Sequence, residues 1–226
     1  MFIIAELQKS DDAKLFSMQP VDSLKYLFVI CWLVVAVSCK IEQAETTNQS
    51  QNAVAPRKTP SKIIADRFAY PIGKTEITTQ AKDKKDDWYV ARDFGENTHL
   101  GEDWNKNSGG DTDCGEPVFA AATGTIVYAK NAGTTWGNVL IIEHDLPNGE
   151  RVQTLYGHLQ KILKASGKVK IREQIGEVGS ADGKYGCHLH FELRLENCPK
   201  WNQTGTGYSA ERNGWLDPSD FINKNR

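Results

Sequence analysis

Four of the five histidines in this chain lie in three short motifs that have the composition of a metal site. In chain order the motifs are His99-x-x-x-Asp103, Tyr156-Gly157-His158 and His188-Leu189-His190. Imidazole nitrogens and carboxylate oxygens are ordinary zinc ligands, and three protein ligands leave one position for water. Zinc lowers the pKa of such a water towards 7, and a neighbouring imidazole can accept its proton. Residues of these types could therefore form a metal site, and hydrolysis by a metal-activated water is chemistry that such a site could perform.

None of the three motifs carries this interpretation alone. Residues two apart in a strand share a face, so His188 and His190 point the same way while Leu189 points to the opposite layer. A chance pair of histidines on an exposed face would have the same spacing. His158, after a glycine at the end of an apolar run, is equally typical of a partly buried structural histidine. The signal is the ordered occurrence of all three motifs.

The first motif requires a bend in the backbone. In an extended strand, residues four apart are separated by about 13 Å. Two ligands of one zinc ion need Cα atoms within roughly 10 Å of each other, given metal–ligand bonds near 2 Å. If both His99 and Asp103 bind the metal, the chain must turn between them, and Gly101 lies at the middle of the motif. An ordinary polar turn is the alternative.

With their surroundings, these motifs resemble the lysostaphin/LytM-type zinc endopeptidases of peptidoglycan. That family has H-x-x-x-D, then a histidine late in a strand, then H-x-H. Further matching segments are Pro117-Val118-Phe119-Ala120-Ala121 with Gly124-Thr125-Ile126-Val127, Tyr156-Gly157-His158-Leu159, and Gly176-Glu177-Val178-Gly179-Ser180 before His188-Leu189-His190-Phe191-Glu192. The resemblance covers residues 99–195. The chain departs from the family at Cys187, where proline is common, and in a longer loop at residues 105–116; neither departure removes a ligand.

The resemblance implies a role for each of these residues. His99, Asp103 and His190 would bind one zinc ion per chain. His158 and His188 would orient or deprotonate the water and stabilise the oxyanion. Glu192 would support a ligand histidine, or it is a solvated strand residue.

The implied activity is that of a metalloendopeptidase hydrolysing peptide cross-links or stem peptides of bacterial peptidoglycan. The alternatives are a non-catalytic envelope regulator that activates a cell-wall amidase, as in relatives that have lost ligands, and a metal-containing wall-binding module. The bond cut stays open between a D-Ala–diaminopimelate cross-link, a glycine bridge and another peptide bond.

Several residues lie outside the pattern. His144 precedes a predicted hairpin loop and is interpreted as structural or exposed. Four tryptophans either line a substrate groove or pack in the interior: Trp104, Trp136, Trp201 and Trp215.

Composition and strand patterns predict the fold class. Of 226 residues, 25% are charged and 39% hydrophobic, and a net charge of −2 gives no indication of nucleic-acid binding. Short apolar runs separated by Gly, Asn and Asp predict strands. These runs are residues 88–94, 117–121, 125–130, 139–144, 152–156, 169–171, 174–178 and 188–195, with one helical turn at 217–221. We expect a mostly β fold: a single antiparallel β-sheet or sandwich domain with long cleft-forming loops at 105–116 and 196–213.

The amino-terminal residues predict export. The apolar run at residues 26–37 is shorter than the roughly 20 residues of a membrane span and fits a signal h-region of about 7–15. We therefore predict an export signal over residues 1–39, whose true first residue could be Met18. The alternative interpretation of the apolar run is a short membrane anchor or a buried core segment.

The end of this signal resembles the lipobox of bacterial lipoproteins, although Ala36 stands where leucine is usual. The resemblance implies a lipid anchor at Cys39, and Lys40 in place of aspartate implies the periplasmic face of the outer membrane; a simple cleaved signal is the alternative. Residues 40–62 are polar and predict a flexible linker. Residues 63–226 are the predicted zinc peptidase domain.

Three cysteines remain beyond the signal, which permits one disulfide and one thiol. If Cys187 begins a straight strand, it lies roughly 25 Å from that strand's far end, which disfavours a Cys187–Cys198 bridge. The sequence therefore favours a disulfide between Cys114 and either Cys187 or Cys198, and it does not decide between these two partners.

Overall fold

The computed structural model describes residues 62–73 and 87–226. These residues belong to one structural unit, Ala55–Arg226. The predicted export signal and lipobox cysteine lie outside the described residues, as does the predicted linker except for Lys62. None of the helices in the described ranges has the length and apolar character needed to cross a membrane.

Strands dominate the described ranges. In chain order they are β1 (Trp88–Arg92), β2 (Glu102–Lys106), β3 (Pro117–Phe119), β4 (Gly124–Asn131), β5 (Asn138–Asp145), β6 (Arg151–Leu159), β7 (Lys161–Ile162), β8 (Gly167–Val169), β9 (Gln174–Glu177), β10 (Leu189–Leu195) and β11 (Trp215–Leu216). A short 3₁₀ turn covers Glu96–Thr98, and helix α1 covers Pro218–Lys224.

The strands form two antiparallel sheets. The larger sheet has eight strands in the order β1-β2-β10-β6-β5-β4-β8, with β11 also paired to β10. The smaller sheet has the order β3-β9-β7. The predicted mostly β, antiparallel fold class is therefore confirmed.

Both sheets contribute to one apolar core. Tyr156, Leu189 and Phe191 of the large sheet are fully buried with Val118 and Ile175 of the small sheet. The predicted orientation of Leu189, away from the two flanking histidines, is thus confirmed. Residues 62–73 close the core, and their backbone is bonded to the body of the protein, for example from the Ala65 amide to the Asp145 carbonyl at 2.8 Å.

Some elements differ from the sequence prediction. Strand β2 was not predicted because its sequence, EDWNK, has one large apolar residue; pairing with β1 on one side and β10 on the other keeps it extended. His188 lies just before β10 and forms an isolated bridge with Gly179. The predicted helical turn is the longer helix α1, which begins after Asp217, whose carboxylate accepts from the Asp220 amide at 3.0 Å.

Candidate metal centre and catalytic cleft

Strand register places the predicted site residues next to one another. Strand β10 lies between β2 and β6, so His190 is paired with Asp103 on one side and with Gly157 on the other. His158 follows Gly157 directly. Antiparallel pairing of three strands thus joins motifs that are far apart in the sequence.

The predicted bend between His99 and Asp103 is present. Leu100 and Gly101 form a bend before β2, and His99 Nε2 lies 3.2 Å from Asp103 Oδ1. A Cβ on Gly101 would lie 2.4 Å from the carbonyl oxygen of Phe191. Glycine is therefore required here because the bend passes directly over β10.

Three potential ligand atoms converge beside this bend. His190 Nδ1 lies 3.0 Å from His99 Nε2 and 3.0 Å from Asp103 Oδ1, and His99 Nε2 lies 3.2 Å from that same oxygen. Atoms bound about 2.0–2.1 Å from one tetrahedral zinc ion lie roughly 3.3 Å apart. The donor set and its spacing therefore fit a zinc ion. Among the described residues, these three form one of the clusters whose side chains could hold a metal ion.

A buried carboxylate supports the third of these residues. Glu192 Oε1 lies 3.0 Å from His190 Nε2, the ring nitrogen that faces away from the other two ligands. Arg194 Nε donates to Glu192 Oε2 at 2.7 Å, and Trp215 Nε1 donates to the same oxygen at 2.8 Å. Glu192 is fully buried, which excludes the solvated interpretation. Such a carboxylate fixes the ring and leaves Nδ1 as the metal-binding nitrogen.

The charges around the three residues favour a bound cation. Burial alone would raise the pKa of Asp103, but hydrogen bonds from His190 and His99 outweigh it and hold that pKa well below its usual range. Burial opposes the charged form of His190, yet Asp103 and Glu192 raise its pKa to about 9. Asp103 and Glu192 thus stabilise a positive charge at His190. A bound metal ion would supply that positive charge in place of the proton.

The remaining two motif histidines face the same cleft. His158 Nδ1 lies 3.2 Å from the Trp136 carbonyl oxygen, and His188 Nδ1 lies 2.8 Å from the Gly186 carbonyl oxygen. Because a carbonyl only accepts, each ring carries its proton on Nδ1 and has a lone pair on Nε2. Burial, followed by the nearby His190 and His188, lowers the pKa of His158 to about 3. With Nδ1 bonded to a carbonyl oxygen, Nε2 of each neutral ring can accept a hydrogen bond.

His158 also has an unusual backbone conformation. Its φ is +63°, in the left-handed region that non-glycine residues rarely adopt. The His158 amide donates to the Trp136 carbonyl at 3.0 Å, which anchors the backbone at this point. Strained backbone of this kind is typical of residues held for function.

The cleft in front of these residues has a volume of about 520 Å³. All five predicted site residues border or underlie it. Trp136 lines it and donates from Nε1 to the Gly205 carbonyl at 3.0 Å. Sequence reasoning missed other lining residues, contributed by β1 and by the loops before β10 and β11: Arg92, Tyr185, Thr206 and Tyr208. No motif marked them, because loop paths are not encoded in a local pattern.

The other tryptophans pack rather than line the cleft. Trp104 and Trp215 are buried, at 1% and 8% exposure, and Trp201 lies against the guanidinium of Arg151. His144 is structural: its ring is fully buried, with Nε2 2.8 Å from Thr154 Oγ1 and Nδ1 3.0 Å from the Thr123 carbonyl oxygen. The exposed alternative for His144 is excluded.

One disulfide lies beside the cleft. Cys114 is bonded to Cys187, with Cα atoms 5.3 Å apart, and Cys198 is a buried free thiol. The bridge fastens the long loop at residues 105–116 to the residue before His188. Asp111 strengthens the link by accepting from the Cys187 amide at 2.8 Å. The two departures from the family pattern are thus one structural feature.

Comparisons with known proteins agree with this geometry. Residues 98–202 match the sequence profile of "Peptidase family M23". Lipoprotein NlpD of Yersinia enterocolitica is 35% identical over 82 residues, which cover 36% of this chain and 80% of that protein. The DD-carboxypeptidase/endopeptidase Mpg of Neisseria meningitidis serogroup B is 42% identical over 85 residues, or 38% of this chain. That match spans about a fifth (19%) of the Neisseria protein.

A solved structure is also similar. The catalytic domain of lysostaphin from Staphylococcus simulans aligns with a TM-score of 0.38 and 29% sequence identity, covering 55% of this chain and 79% of that domain. The matched residues 98–202 include all three histidine motifs and the strands that bring them together. On the profile and the extent of the NlpD match, this chain belongs to peptidase family M23.

Proposed function

We propose that this chain is a zinc-dependent endopeptidase that hydrolyses peptides of bacterial peptidoglycan. The observation that carries the proposal is the convergence of His99, Asp103 and His190 within 3.2 Å of one another, beside two histidines that offer lone pairs to an open cleft. A complete ligand set next to unligated bases is what metal-assisted hydrolysis requires.

The residues divide into two groups by their surroundings. His99, Asp103 and His190 would hold the ion, with Glu192 fixing the ring of His190. Zinc bound there would polarise the scissile carbonyl and lower the pKa of water. His158 and His188, whose ring centroids are 4.7 Å apart, would orient that water, accept its proton at Nε2 and hydrogen-bond the developing oxyanion.

Two observations support a peptide substrate, and the resemblance to the lysostaphin/LytM-type enzymes is the reason for proposing peptidoglycan. Family membership gives the peptidase chemistry, and Mpg, which shares 42% identity over the matched segment, is named as a carboxypeptidase/endopeptidase. The cleft of about 520 Å³ is walled by Trp136 and Tyr208, whose rings would pack against a bound peptide. The regulator alternative is weaker here, because the described site lacks none of the expected ligands.

We also propose the chain organisation and location predicted above. Residues 1–39 would direct export, Cys39 would carry a lipid, residues 40–62 would act as a tether, and 63–226 would form the peptidase domain at the periplasmic face of the outer membrane. NlpD, a relative by sequence, is named as a lipoprotein. Mass spectrometry of the mature amino-terminal peptide tests this proposal: an acylated Cys39 supports it, and an unmodified terminus beyond residue 39 contradicts it.

Digestion of purified sacculi tests the activity. The zinc-loaded chain and its His190→Ala variant are each incubated with sacculi, and the released fragments are weighed by mass spectrometry. Cleaved stem peptides released by the wild type and absent with the variant support the endopeptidase. Release that occurs only when a cell-wall amidase is added favours the regulator. Identical products from both chains contradict the assigned site.

A further inference from the structure

One arginine lies in the cleft and is not among the proposed metal ligands or catalytic histidines. Arg92 borders the cleft of about 520 Å³ and also the adjoining cavity of about 410 Å³. Among the described residues that line either cavity, Arg92 is the one lysine or arginine. Its side chain is 43% exposed. A fixed positive charge at the junction of two cavities is a feature that an anionic group can recognise.

Neighbouring side chains hold this guanidinium in place. Arg92 Nη1 donates to the Tyr208 hydroxyl at 2.5 Å and lies 3.6 Å from Asp103 Oδ2. The Tyr208 ring lies 5.0 Å from the ring of His99, so it packs between the metal centre and the arginine. Arg92 Nε and Nη2 have no hydrogen-bond partner among the described residues, and they form one edge of the planar fork. That edge fits a carboxylate.

We propose that Arg92 binds a free carboxylate on the substrate residue that follows the scissile bond, with Tyr208 as its positioning residue. This inference rests on the proposed endopeptidase function and names its substrate class. Arg92 Nη1 lies 3.6 Å from Oδ2 of Asp103, a proposed metal ligand. Because one extended residue spans about 3.3–3.6 Å, the part of a metal-bound substrate within reach of this guanidinium is the residue next to the scissile bond. The recognised group is therefore carried by a residue adjoining the bond that is cut.

Chemistry then selects the side of the bond. Where the scissile bond is formed by an α-carboxyl, the residue that supplies its carbonyl has no free α-carboxylate left. A free α-carboxylate next to the bond therefore belongs to the residue that supplies the amide nitrogen. A D-Ala–diaminopimelate cross-link has such a carboxylate on the carbon bonded to that nitrogen, whereas an internal glycine bridge has none. The position of Arg92 thus favours the D-Ala–diaminopimelate cross-link among the bonds that the sequence left open.

A matched pair of substrates tests this inference. Two cross-linked peptides are compared, one with the free carboxylate beside the scissile nitrogen and one with a carboxamide there. A charge-assisted bidentate pair is worth roughly one to two powers of ten. We expect wild-type kcat/KM to be about tenfold to hundredfold higher for the carboxylate. Arg92→Gln should bring that ratio near one, Arg92→Lys should keep part of it, and Arg151→Gln, outside both cavities, should leave it unchanged.

Product binding gives a second readout that does not need turnover. Calorimetry measures the Kd of the amine-side product peptide, as acid and as amide, for wild type, Arg92→Gln and Tyr208→Phe. Tighter binding of the acid that is lost in Arg92→Gln and weakened in Tyr208→Phe supports the inference. Equal binding of acid and amide by wild type, or an acid preference that survives in Arg92→Gln, overturns it. If wild type binds the acid selectively but cuts neither substrate, the endopeptidase proposal fails and the carboxylate site stands.

Discussion

His190 Nε2 and Glu192 Oε1 lie 3.0 Å apart on the same face of strand β10. The glutamate is also bonded to Arg194, whose Nη1 donates to the Lys200 and Gln203 carbonyls at 2.8 and 2.6 Å. The pair therefore connects the ring of a proposed metal ligand to the loop that forms one wall of the cleft. Because the ring is held from behind, its other nitrogen is presented to the metal in one orientation.

Replacing Glu192 by Gln should weaken zinc binding. The amide keeps the shape but lacks the charge that favours a proton on His190 Nε2, and loss of such a partner costs about 10–100-fold in metal affinity. Competition with a chromophoric chelator measures the change. Glu143→Gln, a carboxylate of β5 paired with Arg151, is the matched control and should bind zinc like wild type. Equal affinities for Glu192→Gln and wild type would show that the carboxylate does not support the site.

A methyl group at Gly101 should distort the centre. Its Cβ would lie 2.4 Å from the Phe191 carbonyl oxygen, so the bend must move away from β10. Overpacking against backbone costs typically 1–3 kcal/mol. We expect Gly101→Ala to lower the free energy of unfolding by about that amount and to weaken zinc binding. Gly205→Ala, where the nearest atom is 3.5 Å away, should unfold like wild type. A Gly101→Ala chain as stable as the control would contradict the close approach.

Reduction of the disulfide should destabilise the protein. Cys114 and Cys187 are 73 residues apart, so their bond shortens a long loop in the unfolded chain. In the chain-entropy description a loop of this length contributes about 4 kcal/mol to the free energy of unfolding. Denaturant unfolding with and without reductant measures the difference, and Cys114→Ser should abolish it. Cys198→Ala should still respond to reductant, because Cys198 is a free thiol. No response in wild type would exclude the bridge.

His144 should make stability depend on pH. Burial lowers its pKa to about 4 from the ordinary 6.5. The folded state disfavours the charged ring, so this contribution is complete above pH 6.5 and is lost as pH falls through 4. Between pH 7 and 4, wild type should lose on the order of 3 kcal/mol more than His144→Gln, which has no ionisable ring. Urea unfolding across this range measures both chains, and parallel curves would refute the assignment.

The sequence singled out residues that the fold brings together, but it did not indicate most of the walls around them. His99, Asp103, His158, His188 and His190 were candidates because their types are rare and their order is informative. The bend at Gly101 followed from a distance argument. The structure shows that glycine is needed there because the backbone passes close to the Phe191 carbonyl, and not because the bend requires a positive φ. Arg92 carried no signal, because it is an ordinary strand residue. Tyr208 lies in the loop at 196–213 that was expected to form the cleft, but no motif marked this residue within the loop.

The fold class followed from alternating short apolar runs, but two features did not. Strand β2 has few apolar side chains and is held extended by both neighbours, so its pairing is a tertiary effect. The cysteine pairing stayed open because spacing along the chain does not specify where the loop at residues 105–116 returns. In the structure this loop lies against the segment before His188, which brings Cys114 to Cys187.

Zinc stoichiometry across four histidine and aspartate variants, measured with hydrolysis on the same samples, tests the central claim most directly. Asp103→Ala and His190→Ala should lose both zinc and activity, because each removes a ligand. His158→Ala and His188→Ala should keep one zinc per chain and lose activity, since each removes a group that acts on water or the oxyanion. Full zinc in His190→Ala, or loss of zinc in His158→Ala, would contradict the division of the site into ligands and catalytic groups.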